Sequence, residues 1–468
     1  MKRRSISTWI LTGVAAVWMA GGAGAETLAD ALTGAYRNSG LLEQNRAVLR
    51  AADEDVAQAV SALRPVINWS GDVTRSFGTA RSGSTLGTVV GSASNTVNIG
   101  ILAQLTVFDS GRTRLGIEAA KESVLATRES LLSVEQQILL RAVRAYMEVR
   151  RAGQSVGLAE NNVRLITQEL RAARDRFEVG EVTRTDVALA EARLAGARSN
   201  LAAAQGSLVA AQEEYANAVG RRPGTLAAPG AVPSVPANIP GAKASAMRNH
   251  PDMRRVQRQV NVAELNIEIA RAAMNPTVTL NGRLGVTETF QSDTFNHGGS
   301  ISLEATGPIY QGGRLSSLVR QAMAGRDQAR GNLHVVRHDI QQNVGNAYVQ
   351  LQVARASIQA SQNQVRAAEI AFRGVREEAT LGARTTLDVL DAEQELLNAR
   401  NNLISAQVDE YIAAYTILSS LGLMTAEYLK LNVPRYDPAE YYNLVKDAPT
   451  LSRQGEQLDR VLRALGKE

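Results

Sequence analysis

The chain is 468 residues long and holds 51 Lys and Arg, 46 Asp and Glu and no cysteine, which excludes a disulfide framework and any Cys-based zinc or iron–sulfur site. Lys2, Arg3 and Arg4 make most of the basic excess; without them the balance is 48 to 46, and no nucleic-acid footprint remains. Aromatic residues are only 4% of the chain while Ala, Gln, Asn, Arg and Glu are abundant, a composition for long helices packed side by side rather than one globular core.

The first 25 residues read as a cleaved signal peptide: the three basic residues, an apolar stretch from Trp9 to Ala20, then Ala23-Gly24-Ala25 before Glu26. The apolar stretch is too short to span a membrane, which needs roughly 20 residues. Beyond it no 18-residue apolar run occurs, so no transmembrane helix is expected. Without cysteine there is no acylated N-terminus either, and attachment to a membrane has to come from the fold.

Residues 26–220 read as helix (28–62), two strands (about 66–78 and 95–107), a long helix (110–178) and a shorter one (184–219). Ile67, Trp69, Gly71, Val73 and Phe77 alternate with Asn68, Ser70, Asp72, Thr74 and Ser76. Val97, Ile99, Ile101, Ala103, Leu105 and Val107 alternate with Thr96, Asn98, Gly100, Gln104 and Thr106. Such alternation over about ten residues, with Trp or Phe near the ends, is the pattern of a transmembrane β-barrel strand.

A Pro- and Gly-rich linker (221–241) follows, then a second unit (242–424) with helix 242–273, strands about 277–290 and 299–309, a long helix 312–380 and a helix 386–421. The two units are a duplication. Gly111-Arg112 returns as Gly313-Arg314, Ala145-Tyr146 as Ala347-Tyr348, Gly180 as Gly382 and Thr183, Asp186 and Glu191 as Thr385, Asp388 and Glu393, all 202 positions later. The C-terminal tail (425–468) is expected to pack around the helices at mid-height.

At 1.5 Å per residue the helices of the first unit span on the order of 100, 52 and 54 Å. The two short ones together match the long one, a layout that reaches across the periplasm. Four strands cannot close a barrel, because about eight is the natural minimum. Open strand edges in lipid cost several kcal/mol for each unsatisfied group. The chain is therefore expected to oligomerise.

The segments PIYQGGR (308–314), ATLGARTTLDVLDAEQELLNAR (379–400) and RFEVGEVTRTDVALAEAR (176–193), with the duplication, resemble the TolC family of outer-membrane efflux proteins over nearly the whole mature chain. The resemblance implies a mixed α and transmembrane β fold. A homotrimer would build a twelve-stranded barrel, continued by a periplasmic coiled-coil tunnel. It implies an outer-membrane exit duct for a tripartite efflux pump or a type I secretion system, joined to an inner-membrane transporter by a periplasmic adaptor. Carried over residue by residue, an aspartate ring at the tunnel tip falls on Asp388 and Asp391, a latch arginine on Arg384, and its carboxylate partner on a neighbouring chain on Asp186. Ala379 departs from the pattern, since the family's latch tyrosine belongs there.

Each of these has a structural reading beside the functional one. Thr183-x-x-Asp186 and Thr385-x-x-Asp388 are capping boxes restarting a helix after a Gly tip. Asp391 answers to Leu189 in the first unit, so no cap requires it, and it lies one turn from Asp388 on one face. His334 and His338 at i, i+4 have metal-ligand spacing but no third ligand, and read as a solvated face. No nucleophile elbow, P-loop or zinc-protease motif occurs, so neither enzyme chemistry nor a cofactor or metal is expected. The competing reading is a structural periplasmic coiled-coil or adaptor protein without a conduction path, against which the four membrane-type strands speak.

Overall fold

The computed structural model describes residues 25–81, 89–290, 295–449 and 460. The expected signal peptide, apart from Ala25, lies outside these residues, as do the tips of the two loops joining the strands and most of the end of the tail. In chain order the elements are α1 Leu28–Asn38, α2 Gly40–Ser61, β1 Val66–Arg81, β2 Val89–Phe108, α3 Arg112–Glu178, α4 Arg184–Val219, α5 Ile239–Asn249, α6 Pro251–Ala272, β3 Thr277–Phe290, β4 Phe295–Thr306, α7 Arg314–Thr380, α8 Thr386–Ser420 and α9 Glu440–Val445.

Strand β1 runs on to Arg81 and β2 starts at Val89, both longer than the sequence reading has them, and three further differences each have a local reason. Helix 28–62 is two helices, because Ser39 leaves helical geometry (φ −71°, ψ 108°) and its hydroxyl accepts the Leu42 amide as an N-cap. Its counterpart, helix 242–273, begins at Ile239 and breaks at His250, whose successor Pro251 disfavours helical geometry before it and suits the first helical position after it. Strand β4 runs from Phe295 to Thr306 rather than over 299–309, since Gly307-Pro308 removes a ladder donor.

The four strands form one antiparallel sheet in the order β1-β2-β3-β4. Trp69 faces Ile101, which faces Leu284, while Asp72 faces Asn98, which faces Thr287. One surface is therefore apolar and bare, with Trp69 81% and Ile301 84% exposed. The other is a polar lattice: Asn98 Nδ2 donates to Asp72 Oδ2 (2.8 Å), Thr287 Oγ1 to Asn98 Oδ1 (2.6 Å) and Thr74 Oγ1 to Asp72 Oδ2 (3.1 Å). An apolar outside with a polar inside is what a water-filled barrel in lipid requires.

The sheet passes into the helices through left-handed corners. Ser110 and Gly111 (φ 57° and 82°) lead into α3, and Gly312 and Gly313 (φ 59° and 83°) lead into α7. Helices α3 and α7 have 67 residues each. Helix α3 packs against α1 and α2 on the sheet side and α4 on the far side, and α7 against α5, α6 and α8, so short helices stack end to end beside long ones.

The densest packing lies where those ends meet. Ala31, Leu32 and Ala35 of α1 and Tyr215 and Val219 of α4 close on Leu139, Val143 and Tyr146 of α3. Ala242 and Ala246 of α5 with Ile417 and Leu421 close on Val344, Ala347 and Tyr348 of α7. The linker is tied to this belt by tyrosine hydroxyls. Tyr146 donates to the carbonyls of Ala227 (2.7 Å) and Glu26 (3.0 Å), Tyr348 to Pro236 (2.7 Å) and Tyr411 to Gly230 (2.7 Å).

The tail does not stay at mid-height. It climbs α2 toward the sheet: Arg46 lies over the Tyr436 ring, Tyr441 Oη donates to Glu54, and the Arg64 guanidinium holds the carbonyls of Asp447 and Ala448.

Candidate functional site: the periplasmic tip

The far ends of the two helical hairpins are built alike. At the α3–α4 turn Gly180 takes φ 82°, and the Glu181 amide reaches back to the Arg176 carbonyl (2.9 Å). At the α7–α8 turn Gly382 takes φ 78°, and the Ala383 amide reaches the Glu378 carbonyl (2.9 Å). Both are left-handed helix stops that glycine makes without strain. Three residues on, Thr183 and Thr385 restart the helices with capping boxes. Asp186 Oδ2 accepts the Thr183 amide at 2.9 Å, and Asp388 Oδ2 the Thr385 amide at 3.0 Å.

Asp186 and Asp388 thus perform the capping duty their spacing suggests. The backbone and hydroxyl of Thr385 hold the Asp388 carboxyl below its usual range, so it stays ionised at the tip. Arg384 Nε donates to Glu378 Oε2 at 2.9 Å, across the turn within its own hairpin. Among the described residues Arg384 and Asp186 share no ion pair within one chain; the expected contact joins neighbouring chains. Asp391 pairs with Arg193 of α4, which links the second hairpin to the first.

Sequence reasoning missed Glu378, Arg193 and Glu393. Glu378 lies six residues before Arg384, a separation that meets only because the turn reverses the chain. Arg193 is recognisable only once α4 and α8 are known to touch. Glu393 is buried, 4% exposed, although its repeat partner Glu191 is exposed in an ion pair with Arg174. Ala379, standing where a latch tyrosine is expected, is itself buried. His334 and His338 lie exposed on α7.

A hairpin pair of this length, ending in acidic residues and rising into a sheet that is apolar outside and polar inside, makes the wall of a conduit. The comparisons with known proteins agree. The family described as "Outer membrane efflux protein" matches residues 32–221 and 244–423, once for each unit of the duplication. The chain is 38% identical over 444 residues, 94% of each protein, to the outer membrane efflux protein BepC of Brucella suis. It is 26% identical over 277 residues, 56% of this chain and 57% of that protein, to the alkaline protease secretion protein AprF of Pseudomonas aeruginosa. Its fold matches the CmeC outer membrane channel of Campylobacter jejuni with a TM-score of 0.75, at 16% identity, over 92% of this chain and 91% of that one. The chain belongs to the TolC-type outer membrane efflux protein family, and is a non-enzymatic outer-membrane channel with a periplasmic helical body, a member of the trimeric exit ducts of tripartite pumps and type I secretion.

Proposed function

We propose that three copies of this chain close one twelve-stranded barrel, β4 of each pairing with β1 of the next, above a tunnel whose tip is gated by its own charges. The observation that carries the reading is the sheet with two unpaired edges, β1 of 16 residues and β4 of 12. Backbone groups at a bare edge find no water in lipid, so the edges demand each other. In this arrangement Arg384 of one chain meets Asp186 of its neighbour and holds the tip shut. The Asp388 and Asp391 carboxylates ring the aperture and favour cations.

With no chemistry of its own, the duct draws energy from a partner. That partner is an inner-membrane transporter, joined through a periplasmic adaptor that docks on the hairpins. Efflux of small toxic compounds is favoured over protein secretion. The relative named as an efflux protein matches over 94% of this chain, the one named for protease secretion over 56%.

The test is a gene deletion scored for sensitivity to dyes, detergents and antibiotics. The parent gene should restore resistance, and a copy with prolines at several β1 edge positions, which cannot pair, should not. Unchanged sensitivity in the deletion strain, with loss of a secreted protein instead, would move the cargo to secretion.

A further inference from the structure

We propose that Glu393 is a proton-binding site at the seam between the two helical hairpins, and that its protonation state sets how firmly the tip stays closed. The proposal rests on the reading of the tip as the gate.

The seam is where α8 meets the first hairpin. Leu390 of α8 packs among Ile166 and Leu170 of α3 and Ala190, Leu194 and Ala197 of α4. Glu393 follows Leu390 by three positions on the same helical face. It is 4% exposed, and neither carboxylate oxygen has a hydrogen-bond partner among the described residues. Native interiors seldom leave a carboxylate so placed without a reason.

The charged groups that face it come from two helices. Glu169 approaches from α3 and Arg376 from α7. Arg376 Nε already lies 3.7 Å from Glu169 Oε1, so the nearest cation is shared with a competing carboxylate. Arg193 of α4 is taken by Asp391 and supplies no counter-charge to Glu393. Burial, reinforced by Glu169 and offset in part by Arg376, pushes the Glu393 carboxyl up to about 7.

The duplication supplies an internal control. Glu191 occupies the same motif position on α4 and is exposed, paired with Arg174. Burial is therefore a property of the seam and not of the motif.

The direction of the coupling follows from mass action. A packed seam holds the proton with a raised affinity; a separated seam gives Glu393 back to water and its ordinary value of 4.5. Acid therefore favours the packed seam. Rising pH increasingly favours separation from about 4.5 up to about 7, beyond which the effect is complete.

The natural absence of cysteine allows the test on the full-length trimer in detergent. Spin labels on Glu181→Cys and Ala383→Cys, in the exposed turns, report tip separation by double electron–electron resonance at pH 5 and pH 8. The separated population should grow at least roughly tenfold between the two, a change that about two units of pKa difference suffices to give. Glu393→Gln, which mimics the protonated acid, should hold the pH 5 distribution throughout. Glu169→Gln should shrink the response and Arg376→Gln should enlarge it. A separation that ignores pH in the parent, or that titrates in Glu393→Gln as it does in the parent, overturns the proposal. Bilayer current is recorded on the same samples. Tips that titrate without a change in current uphold the proton site and sink the gate reading instead.

Discussion

Tyr146 and Tyr348, 202 positions apart, each donate a hydroxyl at 2.7 Å to a carbonyl of the same linker, Ala227 for one and Pro236 for the other. The duplicated Ala-Tyr pair is thus a pair of clamps on the segment that joins the duplicated halves. Burial raises the proton affinity of both phenols, so they stay neutral donors across the accessible pH range.

Removing the Tyr348 hydroxyl leaves the Pro236 carbonyl without a donor among the described residues, at about 1–3 kcal/mol. Without the Tyr146 hydroxyl the Ala227 carbonyl keeps the Arg150 guanidinium, and the Glu26 carbonyl keeps the Ala227 amide. Tyr348→Phe should lower the melting temperature of the solubilised protein more than Tyr146→Phe, because both carbonyls that share the Tyr146 hydroxyl keep a second donor. Calorimetry on the two variants checks the order. Equal, negligible shifts would reduce both tyrosines to packing.

The two faces of the sheet should answer differently to charge. Ile301 is on the bare apolar face, and Arg there should weaken the barrel by about 2–4 kcal/mol if it sits near the bilayer midplane. Its neighbour Ser302 points the other way, and Ser302→Arg should leave the yield of heat-modifiable trimer intact while reducing cation conductance. Equal damage from both would mean that the sheet does not separate lipid from water.

At the tip, an exposed Arg–Asp contact is worth roughly 0–1 kcal/mol, and threefold repetition brings its influence on opening to about 3 kcal/mol. Asp186→Ala with Arg384→Ala should raise single-channel conductance at unchanged trimer yield. Asp388→Ala with Asp391→Ala should weaken cation selectivity and block by multivalent cations. Arg193→Ala, which removes the partner of Asp391, should strengthen both. Parental conduction and selectivity in all three would leave these residues as caps and surface pairs.

Under the tail, Asp53 of α2 is fully buried with both oxygens unpartnered among the described residues, and burial raises its carboxyl to about 6 against the attraction of Arg128. The folded state therefore binds the proton more tightly than the unfolded chain, and stability falls as pH rises from about 4 through about 6. Asp53→Asn should stabilise by about 1–3 kcal/mol at pH 8, a gain that shrinks to nothing near pH 4. Since α9 packs against α2, protease cutting of the tail at pH 8 should slow in parallel. A pH-independent effect would assign Asp53 a purely steric role.

Much of this architecture was legible because its signals are periodic and repeated. Strand alternation placed Trp69 and Ile101 on one face and Asp72 and Asn98 on the other, and the duplication aligned both tips at Gly180 and Gly382. The break at Ser39 was harder to see, since one capping side chain interrupts an apolar pattern that continues on both sides, whereas the break at His250 carried a readable signal in Pro251. The partners at the tip were invisible for another reason. Glu378, Arg193 and Glu169 meet Arg384, Asp391 and Glu393 only through hairpin reversal and helix packing, and no spacing within one helix encodes that. Glu393 shows the limit most clearly, because the same motif leaves Glu191 in solvent.

Strand β2 pairs with β3, yet the whole of α3 through α6 lies between them in the chain. Each strand pair can form at once from neighbours in sequence, but the junction at the middle of the sheet has to wait for the second half of the polypeptide to be delivered. Long-range pairing of this kind is slow because chain entropy is lost before any contact rewards it. During that interval two lipophilic ribbons with Trp69 and Ile301 bare stand in an aqueous compartment. Biogenesis of this protein therefore carries an obligatory waiting period, and whatever escorts it to the membrane has to shield two separate hairpins rather than one finished sheet.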